Sequence, residues 1–352
     1  WFDTRPNLRR EMEDRKRRFQ EKEDLLPEIR DRLQKSFAGG LFTAVHVFTP
    51  GADIPDDWSL RLVVLPPEAG FSRSSQNLAI DYANGILKKR GEQPRFKQNR
   101  LIFLAADYDT LLRLRDQVRS ALAWQSIVTD IKSLRLNLDQ FQAKQAEKSL
   151  ADANDALRRM IRETYKWVLA PMQDVRPGKG PSDVEWESFQ INPGTPNLTQ
   201  EIEKVLKENE LLITEWAPIH LVSLLKAWYW KDGVTEVSGL TVWQQSCQHL
   251  YMPRLLNDGV FKNTIEAGAS SRDFFGLAQG REDEKYIGFT FGSRTSTFLE
   301  SGLLLIEPSK ATSYAESIKP KPNEPTHGTG GEPPGSPSKG PDVSGSTSGV
   351  QG

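Results

Sequence analysis

The hydrophobic positions of residues 39–125 occur in short continuous runs rather than at every second position. Three such runs are "LFTAVHVFTP" (41–50), "LRLVVLPP" (60–67) and "RLIFLAAD" (100–107). Between the last two runs, residues 75–90 place apolar side chains at helical spacing. Continuous apolar strands that alternate with helices are typical of a sheet that is covered on both faces. The pattern therefore predicts a small α/β domain over 39–125.

Residues 110–170 contain neither proline nor glycine, which predicts one long helix or a helical hairpin and defines a helical segment over 126–175. Its second half places apolar and small residues four and three positions apart, as in a coiled coil. These residues are Ala146, Leu150, Ala153, Leu157, Met160, Thr164 and Trp167. A seam of this kind needs a partner helix. We expect either the N-terminal charged segment or, in an oligomer, another subunit to cover residues 146–167.

The N-terminal segment, residues 1–38, mixes charges of both signs and lacks glycine over residues 7–37. Eleven basic residues face nine acidic ones in positions 1–37, so the net charge is too small to favour nucleic acid. We predict one or two solvated helices with intrahelical ion pairs, interrupted near Pro27, which would occupy a first turn or a kink.

Residues 184–318 predict a winged-helix-like domain. Amphipathic helices are expected over 197–213, after Pro218, over 240–251 and over 260–268. The spacing of apolar residues then changes to that of a β-hairpin, formed by "DFFGLAQ" and "KYIGFTFG". A last strand, "GLLLIEP", follows. The fold class is thus helix-rich α+β. Residues 319–352 are dominated by Pro, Gly, Ser and Thr and predict a disordered tail or linker.

Composition narrows the classes of function. The 352 residues include 46 Lys plus Arg and 47 Asp plus Glu, so no global charge favours nucleic acid or an acidic membrane. The single cysteine, Cys247, cannot form an internal disulfide, and no apolar run is long enough to span a bilayer. We expect a cytoplasmic protein. Because the sequence opens on Trp1, we also expect a fragment of a longer chain.

The third apolar run ends on a candidate catalytic acid. Asp107 has the position of a magnesium-binding acid, but such an acid functions only beside a phosphate-binding loop, and Lys179 is followed by Gly180 rather than Ser or Thr. We therefore expect Asp107 and Asp109 to cap the helix that follows. The four histidines, His46, His220, His249 and His327, are far apart in sequence. No catalytic residue, metal ligand or cofactor site is predicted.

The predicted wing offers four cations for a nucleic-acid phosphate backbone: Arg272, Arg281, Lys285 and Arg294. Three acidic residues, Glu282, Asp283 and Glu284, lie among them. The helix that would read bases carries Asp258 and Glu266 against Lys262, and acidic residues there would repel DNA. Both duplex DNA and a protein therefore remain candidate partners, and no membrane is expected.

Several stretches in this order resemble one large bacterial family, domain of unknown function 499, whose members look like AAA+ type ATPases. They include "WFDTRPNLRR", "VVLPP", "NRLIFLAAD", "LAWQSIV", "LRRMIRETYKWVLAP", "LTQEIEKVLKENELLI", "SRDFFGLAQG" and "YIGFTFG". The resemblance covers roughly residues 1–318 and corresponds to the C-terminal half of the family. It implies an upstream domain that binds ATP and Mg²⁺, and an association with anti-phage or bacteriophage-exclusion systems that include a DNA methyltransferase.

The leading hypothesis is an accessory region that couples ATP-driven change to DNA or to a partner protein. The alternative is a stand-alone interaction scaffold whose winged helix does not bind DNA.

Overall fold

The computed structural model describes residues 7–37, 39–73, 77–176, 179–195 and 197–319. These residues form ten α-helices: α1 (Leu8–Lys16), α2 (Leu26–Ser36), α3 (Leu78–Lys88), α4 (Leu111–Lys132), α5 (Gln140–Thr164), α6 (Leu198–Glu208), α7 (Pro218–Trp228), α8 (Gly239–Gln248), α9 (Asp258–Ala269) and α10 (Pro308–Ser317). They also form fourteen β-strands: β1 (Ala44–Val47), β2 (Arg61–Val64), β3 (Lys89–Arg90), β4 (Gln93–Pro94), β5 (Leu101–Ala106), β6 (Tyr165–Met172), β7 (Val175–Arg176), β8 (Gly180–Pro181), β9 (Glu185–Gln190), β10 (Glu236–Ser238), β11 (Gly276–Ala278), β12 (Gly280–Glu282), β13 (Lys285–Ile287) and β14 (Leu304–Ile306). The prediction of a helix-rich α+β fold is confirmed.

Five strands form the main sheet in the order β1-β2-β5-β6-β9. β1, β2 and β5 are parallel, whereas β6 runs antiparallel to β5 and β9 antiparallel to β6. Leu62 and Ile102 face a core shared with α2, α4, α5 and α6, and Val63 and Phe103 face a second core under α3. Both faces of β2 and β5 are therefore covered, as the continuous apolar runs predicted.

Helices α4 and α5 form a helical hairpin, so one of the two predicted alternatives is confirmed. The prediction of helix is wrong for residues 165–172, which form β6 and pair with β5 on one side and β9 on the other. Tyr165, Trp167 and Val168 are aromatic or β-branched residues that suit a buried strand. The last part of the predicted helical segment 126–175 therefore completes the sheet of the α/β domain.

The predicted seam on α5 is covered within the chain. Ala146 belongs to a cluster with Leu8 of α1 and Ile127 of α4, and Leu157 packs in the main core together with Ile29 of α2. Because α4 lies along α5, it is the principal partner, and the N-terminal helices complete the cover. Ala146, Ala153 and Leu157 are thus buried within the chain, Leu150 and Met160 are partly buried, and Trp167 belongs to β6 instead of the helix.

The charged N-terminal segment forms α1, a π-helical turn and α2, with Pro27 in the first turn of α2. Arg15 is 8 % exposed, and its guanidinium contacts Glu11 at 2.7 Å and Asp130 of α4 at 2.8 Å. The mixed charges therefore form ion pairs, some within a helix and some between α1 and α4.

The winged-helix part follows the order α7, β10, α8, α9, β11, wing and β14, with a three-stranded antiparallel sheet in the order β10-β14-β11. It has its own core, to which Val242, Phe261 and Leu305 contribute. The predicted start at residue 184 is too early, because β9 joins the main sheet and α6 packs in the main core. A winged-helix-like arrangement as such is confirmed.

The wing is a short hairpin of β12 and β13, whereas β11 pairs with β14. The predicted pairing of 273–279 with 285–292 is present as an antiparallel bridge between Leu277 and Thr290, but the regular hairpin extends past residue 279 into β12. Gly288 adopts φ +61° and interrupts the alternation, so that Tyr286 is buried while Ile287 is 45 % exposed. The predicted disordered tail lies outside the described residues, apart from residue 319.

Candidate functional site

Asp107 follows β5 at the carboxyl end of the parallel strands. Its Oδ1 accepts a hydrogen bond from the indole Nε1 of Trp167 at 3.0 Å, and its Oδ2 lies 3.3 Å from Nζ of Lys166. No side chain caps either the 3₁₀ turn that begins at Tyr108 or helix α4. The prediction that Asp107 and Asp109 cap the helix is therefore wrong. The carboxylate of Asp107 instead contacts Trp167 and Lys166 of β6. The prediction of a helix over these residues did not place them beside Asp107.

The described residues contain no group of three or more His, Cys, Asp or Glu side chains that could hold a metal ion. Lys179 lies directly before β8, which begins at Gly180 and pairs with β7, and the next element along the chain is the strand β9. A phosphate-binding loop leads into a helix, and so this turn does not resemble one.

The histidines are not brought together. His46 on β1 lies 3.1 Å from Nη1 of Arg61, and burial followed by the charges of Arg61 and Arg95 lowers the pKa of its imidazole. His249 stacks on Tyr251 at 5.0 Å, and His220 is exposed at the start of α7. His327 lies outside the described residues.

The four cations predicted to bind DNA form two separate pairs. Arg281 and Lys285 lie on the paired strands of the wing hairpin. Arg272 lies against Gly292, with its guanidinium 5.9 Å from the ring centre of Phe291, and Arg294 follows two residues later. Arg281 is engaged by the carboxylate of Glu236 at 3.1 Å. One of the four cations is therefore already paired with a carboxylate.

Helix α9, which would enter the major groove in a DNA-binding winged helix, is contacted by residues 296–298. Nζ of Lys262 lies 5.5 Å from the ring centre of Phe298, and Glu266 accepts a hydrogen bond from the amide of Thr297 at 2.8 Å. Residues 263, 267 and 270 remain exposed beside this contact. They are Asn263, Ala267 and Ser270, so this exposed face of α9 carries no charge.

Helix α10 holds the wing from the other side. The hydroxyl oxygen of Tyr314 accepts a hydrogen bond from the backbone amide of Tyr286 at 3.0 Å, and the ring of Tyr314 lies edge-on to the rings of Tyr286 and Phe289. The hydroxyl of Tyr286 also donates to Glu236 of β10. The base of the wing is thus fixed, and its tip consists of Glu282, Asp283 and Glu284.

Three buried polar residues join the winged helix to the main sheet. Arg254 donates to the carbonyl oxygens of Asn99, Leu211 and Pro171, at 3.2, 3.1 and 2.6 Å. Arg100 donates to the carbonyl oxygen of Leu255 at 2.8 Å, and its guanidinium lies 5.5 Å from the ring centre of Trp243. Burial, followed by the charge of Arg100, lowers the pKa of Arg254 to about 9.

Sequence reasoning missed this junction, which we call the arginine junction (Asn99, Arg100 and Arg254). Neither arginine has a carboxylate partner among the residues that the structure describes, and their acceptors are backbone carbonyls that a sequence motif does not reveal. The only signal was the occurrence of arginine within apolar surroundings, "RLIFL" and "MPRLL".

Comparison with known proteins finds no matching family model, no matching curated protein and no matching solved structure. The resemblance to domain of unknown function 499 therefore stays a prediction. No helix in the described ranges combines the length and the apolar composition needed to cross a bilayer.

Proposed function

We propose that this chain is the accessory, partner-binding region of an AAA+-like ATPase of a bacterial anti-phage system, and that its winged helix contacts protein rather than duplex DNA. The ATPase assignment rests on the resemblance. ATP and Mg²⁺ would be bound by an upstream domain, and a DNA methyltransferase of the same system is one candidate partner. We also place the protein in the cytoplasm, where the buried Cys247 would stay reduced.

One observation favours protein over DNA: the uncharged exposed face of α9. A helix that enters the major groove lies close to the DNA phosphates and usually carries cations that contact them. Here Lys262 is held at Phe298, and Asn263, Ala267 and Ser270 provide only small or neutral side chains. Small, uncharged helix faces permit close approach of another protein surface.

The surrounding charge supports the same choice. Residues 214–319 contain twelve acidic and ten basic residues, and one of the basic residues, Arg254, is buried. The acidic wing tip would lie close to the phosphates in a winged-helix complex with DNA. Its repulsion would weaken binding most at low salt, where electrostatic contacts are strongest.

The arginine junction supports the coupling part of the proposal. It fastens the winged helix to the turn before β5, to β6 through the carbonyl of Pro171, and to the segment after α6 through Leu211. A displacement of the main sheet would therefore move the winged helix with it, because the buried hydrogen bonds cannot be exchanged for water without opening the junction.

Fluorescence anisotropy with a labelled duplex of about 20 base pairs, at about 50 mM and 200 mM salt, tests the choice between DNA and protein. We expect no saturable binding by the chain at either salt concentration. The double variant Arg281→Ala plus Lys285→Ala should behave identically. Saturable, salt-dependent binding that weakens in the double variant would contradict the proposal.

A photo-crosslinking side chain at Asn263 of the complete native polypeptide, in its own cells, tests protein contact directly. We expect a discrete protein adduct that disappears when Ala267, one turn further along α9, is replaced by Arg. A crosslinker at the exposed Lys144 of α5 is the matched control and should not give this adduct. A nucleic-acid adduct at Asn263, or an adduct insensitive to Ala267→Arg, would overturn the assignment of this face.

A further inference from the structure

A cleft opens on the helical side of the molecule, far in sequence from the winged helix. Helices α2 and α5 form its walls, α4 forms its floor, and Asn197 at the start of α6 lies at its edge. Its volume is about 750 Å³, within the range of sites that hold small molecules. Three apolar side chains, Ala121, Leu122 and Ile161, line it together with the polar ones.

Four cations line this cleft. Arg32 and Lys35 come from α2, and Arg158 and Arg162 come from the facing side of α5. Among the residues that the structure describes, two carboxylates, those of Glu28 and Asp31, line it with them. Three arginines and a lysine around one concavity form an arrangement suited to an anion with several negative charges, because arginine binds phosphate oxygens in a fork of two hydrogen bonds.

Three of the cations are held in place by carboxylates of their own helices. Nε of Arg32 lies 2.8 Å from Glu28, Nζ of Lys35 lies 2.6 Å from Asp31, and Arg158 pairs with Asp155. The Lys35–Asp31 and Arg158–Asp155 pairs are more than half exposed, and such pairs are weak, whereas the Arg32–Glu28 pair is only about a quarter exposed. A multivalent anion can therefore replace the carboxylates of the two exposed pairs at little cost.

The fourth cation, Arg162, has no carboxylate partner among the described residues. Its Nε donates to the backbone carbonyl of Pro193 at 3.3 Å. Across the cleft, Nη2 of Arg32 donates to Oδ1 of Asn154 at 2.6 Å, which links the α2 wall to the α5 wall. The N-terminal end of α6 adds the positive end of a helix dipole, with Asn197 as its cap. Positive potential thus comes from three elements at once.

We propose that this cleft binds an oligophosphate group, carried either by a free nucleotide or by an inorganic polyphosphate. Arg162 and Arg158 would contact phosphate oxygens from α5, and Arg32 and Lys35 would contact them from α2. A single carboxylate ligand would not replace several intrahelical pairs, whereas consecutive phosphates carry enough charge to do so. The proposal concerns a site distinct from α9 and does not depend on the function proposed for the winged helix.

Isothermal titration calorimetry with tripolyphosphate and with ATP, without added metal and at about 50 mM salt, tests this site in the full chain. Binding of both with similar affinity indicates recognition of phosphate alone, and tighter binding of ATP indicates that the base is also held. Arg162→Gln should weaken either ligand by at least about tenfold. Arg159→Gln, next to Arg158 on α5 but outside the cleft, should leave affinity unchanged.

A second variant keeps the proposal testable if Arg162→Gln disturbs folding. Glu28→Gln removes a carboxylate that competes with the ligand for Arg32, so it should tighten tripolyphosphate binding severalfold. Thermal unfolding of each variant checks that the fold is intact. Absence of binding by the wild-type chain, equal affinity in Arg162→Gln and Arg159→Gln, or binding of poly-glutamate in preference to tripolyphosphate would overturn the proposal.

Discussion

A hydrogen bond from Arg254 to Asn99 crosses the boundary between the winged helix and the main sheet. Nε of Arg254 donates to the carbonyl oxygen of Asn99 at 3.2 Å. Nδ2 of Asn99 donates to the carbonyl oxygens of Ser246 and Met252, at 2.8 and 3.0 Å. The two residues are at most 6 % exposed, so both sets of bonds are shielded from water.

Replacing Arg254 by methionine should lower the free energy of unfolding by about 2–4 kcal/mol. The apolar side chain keeps much of the volume but leaves three buried carbonyl oxygens without their donor, and this loss outweighs the relief from burying a charge. Urea denaturation measures the change. Arg135→Met, whose side chain is 77 % exposed, is the control and should stay within about 0.5 kcal/mol of the wild type. Equal stability of Arg254→Met and wild type would show that the junction does not fasten the two parts.

The pKa of His46 predicts how stability depends on pH. Burial and the charges of Arg61 and Arg95 lower this pKa below its ordinary value of 6.5. As pH falls below 6.5, the unfolded chain gains a proton that the folded protein does not, so the free energy of unfolding decreases until the folded pKa is reached. Above 6.5 the imidazole is neutral in both states and contributes no slope.

His46→Gln removes this contribution while its amide oxygen can still accept from Arg61. Between about pH 7 and pH 5, the wild type should therefore lose more stability than His46→Gln, as measured by urea denaturation at each pH. Asp57 does not interfere: burial raises its pKa, but the hydrogen bonds from Arg61 and Ser59 lower it to below 3.8. Identical pH dependence of the two proteins would refute the effect of His46.

Two helical glycines should respond to alanine in opposite directions. A Cβ atom on Gly268, near the end of α9, would lie 2.2 to 2.9 Å from ring atoms of Phe275, which is fully buried. Overpacking of this kind costs about 1–3 kcal/mol and exceeds the gain in helix propensity of up to about 1 kcal/mol. Gly268→Ala should thus lower the melting temperature.

Gly85 in α3 has open space around the same position. Gly85→Ala should therefore raise the free energy of unfolding by about 0.5–1 kcal/mol. Calorimetry of both variants measures the contrast. A gain in both would mean that Phe275 can move aside, contrary to the close packing of the winged-helix core.

Asp107 is expected to stabilise the end of β5 through β6. Asp107→Ala removes the acceptor for Trp167 and the partner of Lys166, which should cost about 2 kcal/mol. Asp107→Asn retains an oxygen acceptor and should cost less. Chemical denaturation of both variants ranks the two interactions, and an equal loss would assign the stability to the ion pair with Lys166 instead of the indole hydrogen bond.

The sequence predicted the elements whose side chains repeat regularly. The apolar runs at Leu62 and Ile102 revealed strands buried on both faces, and the spacing of Ala146, Ala153 and Leu157 revealed one helix of a hairpin. The order of helices and strands after Pro218 also revealed the winged-helix arrangement. In each case the spacing of apolar residues within the element reflects the burial of one of its faces or of both.

The features that were missed depend on partners distant in sequence. Tyr165 to Met172 follows a helix without any breaker, and only the free edge of β5 and the arrival of β9 make it a strand. The carboxylate of Asp107 contacts Trp167 and Lys166, which lie beside it in the sheet, and therefore does not cap α4. Arg254 donates hydrogen bonds to backbone carbonyls of three separate segments. No spacing of residue types along the sequence indicates such contacts.

The hairpin of α4 and α5 lies between two strands that are neighbours in the sheet. When β5 leaves the ribosome, its partner β6 has not been made, since residues 107–164 must be synthesised first. The exposed edge of β5 is a row of unpaired backbone groups and an aggregation hazard during that interval. Early docking of the helical hairpin would bring β6 to that edge as soon as it emerges, so slowing the formation of the hairpin should increase aggregation of the nascent chain.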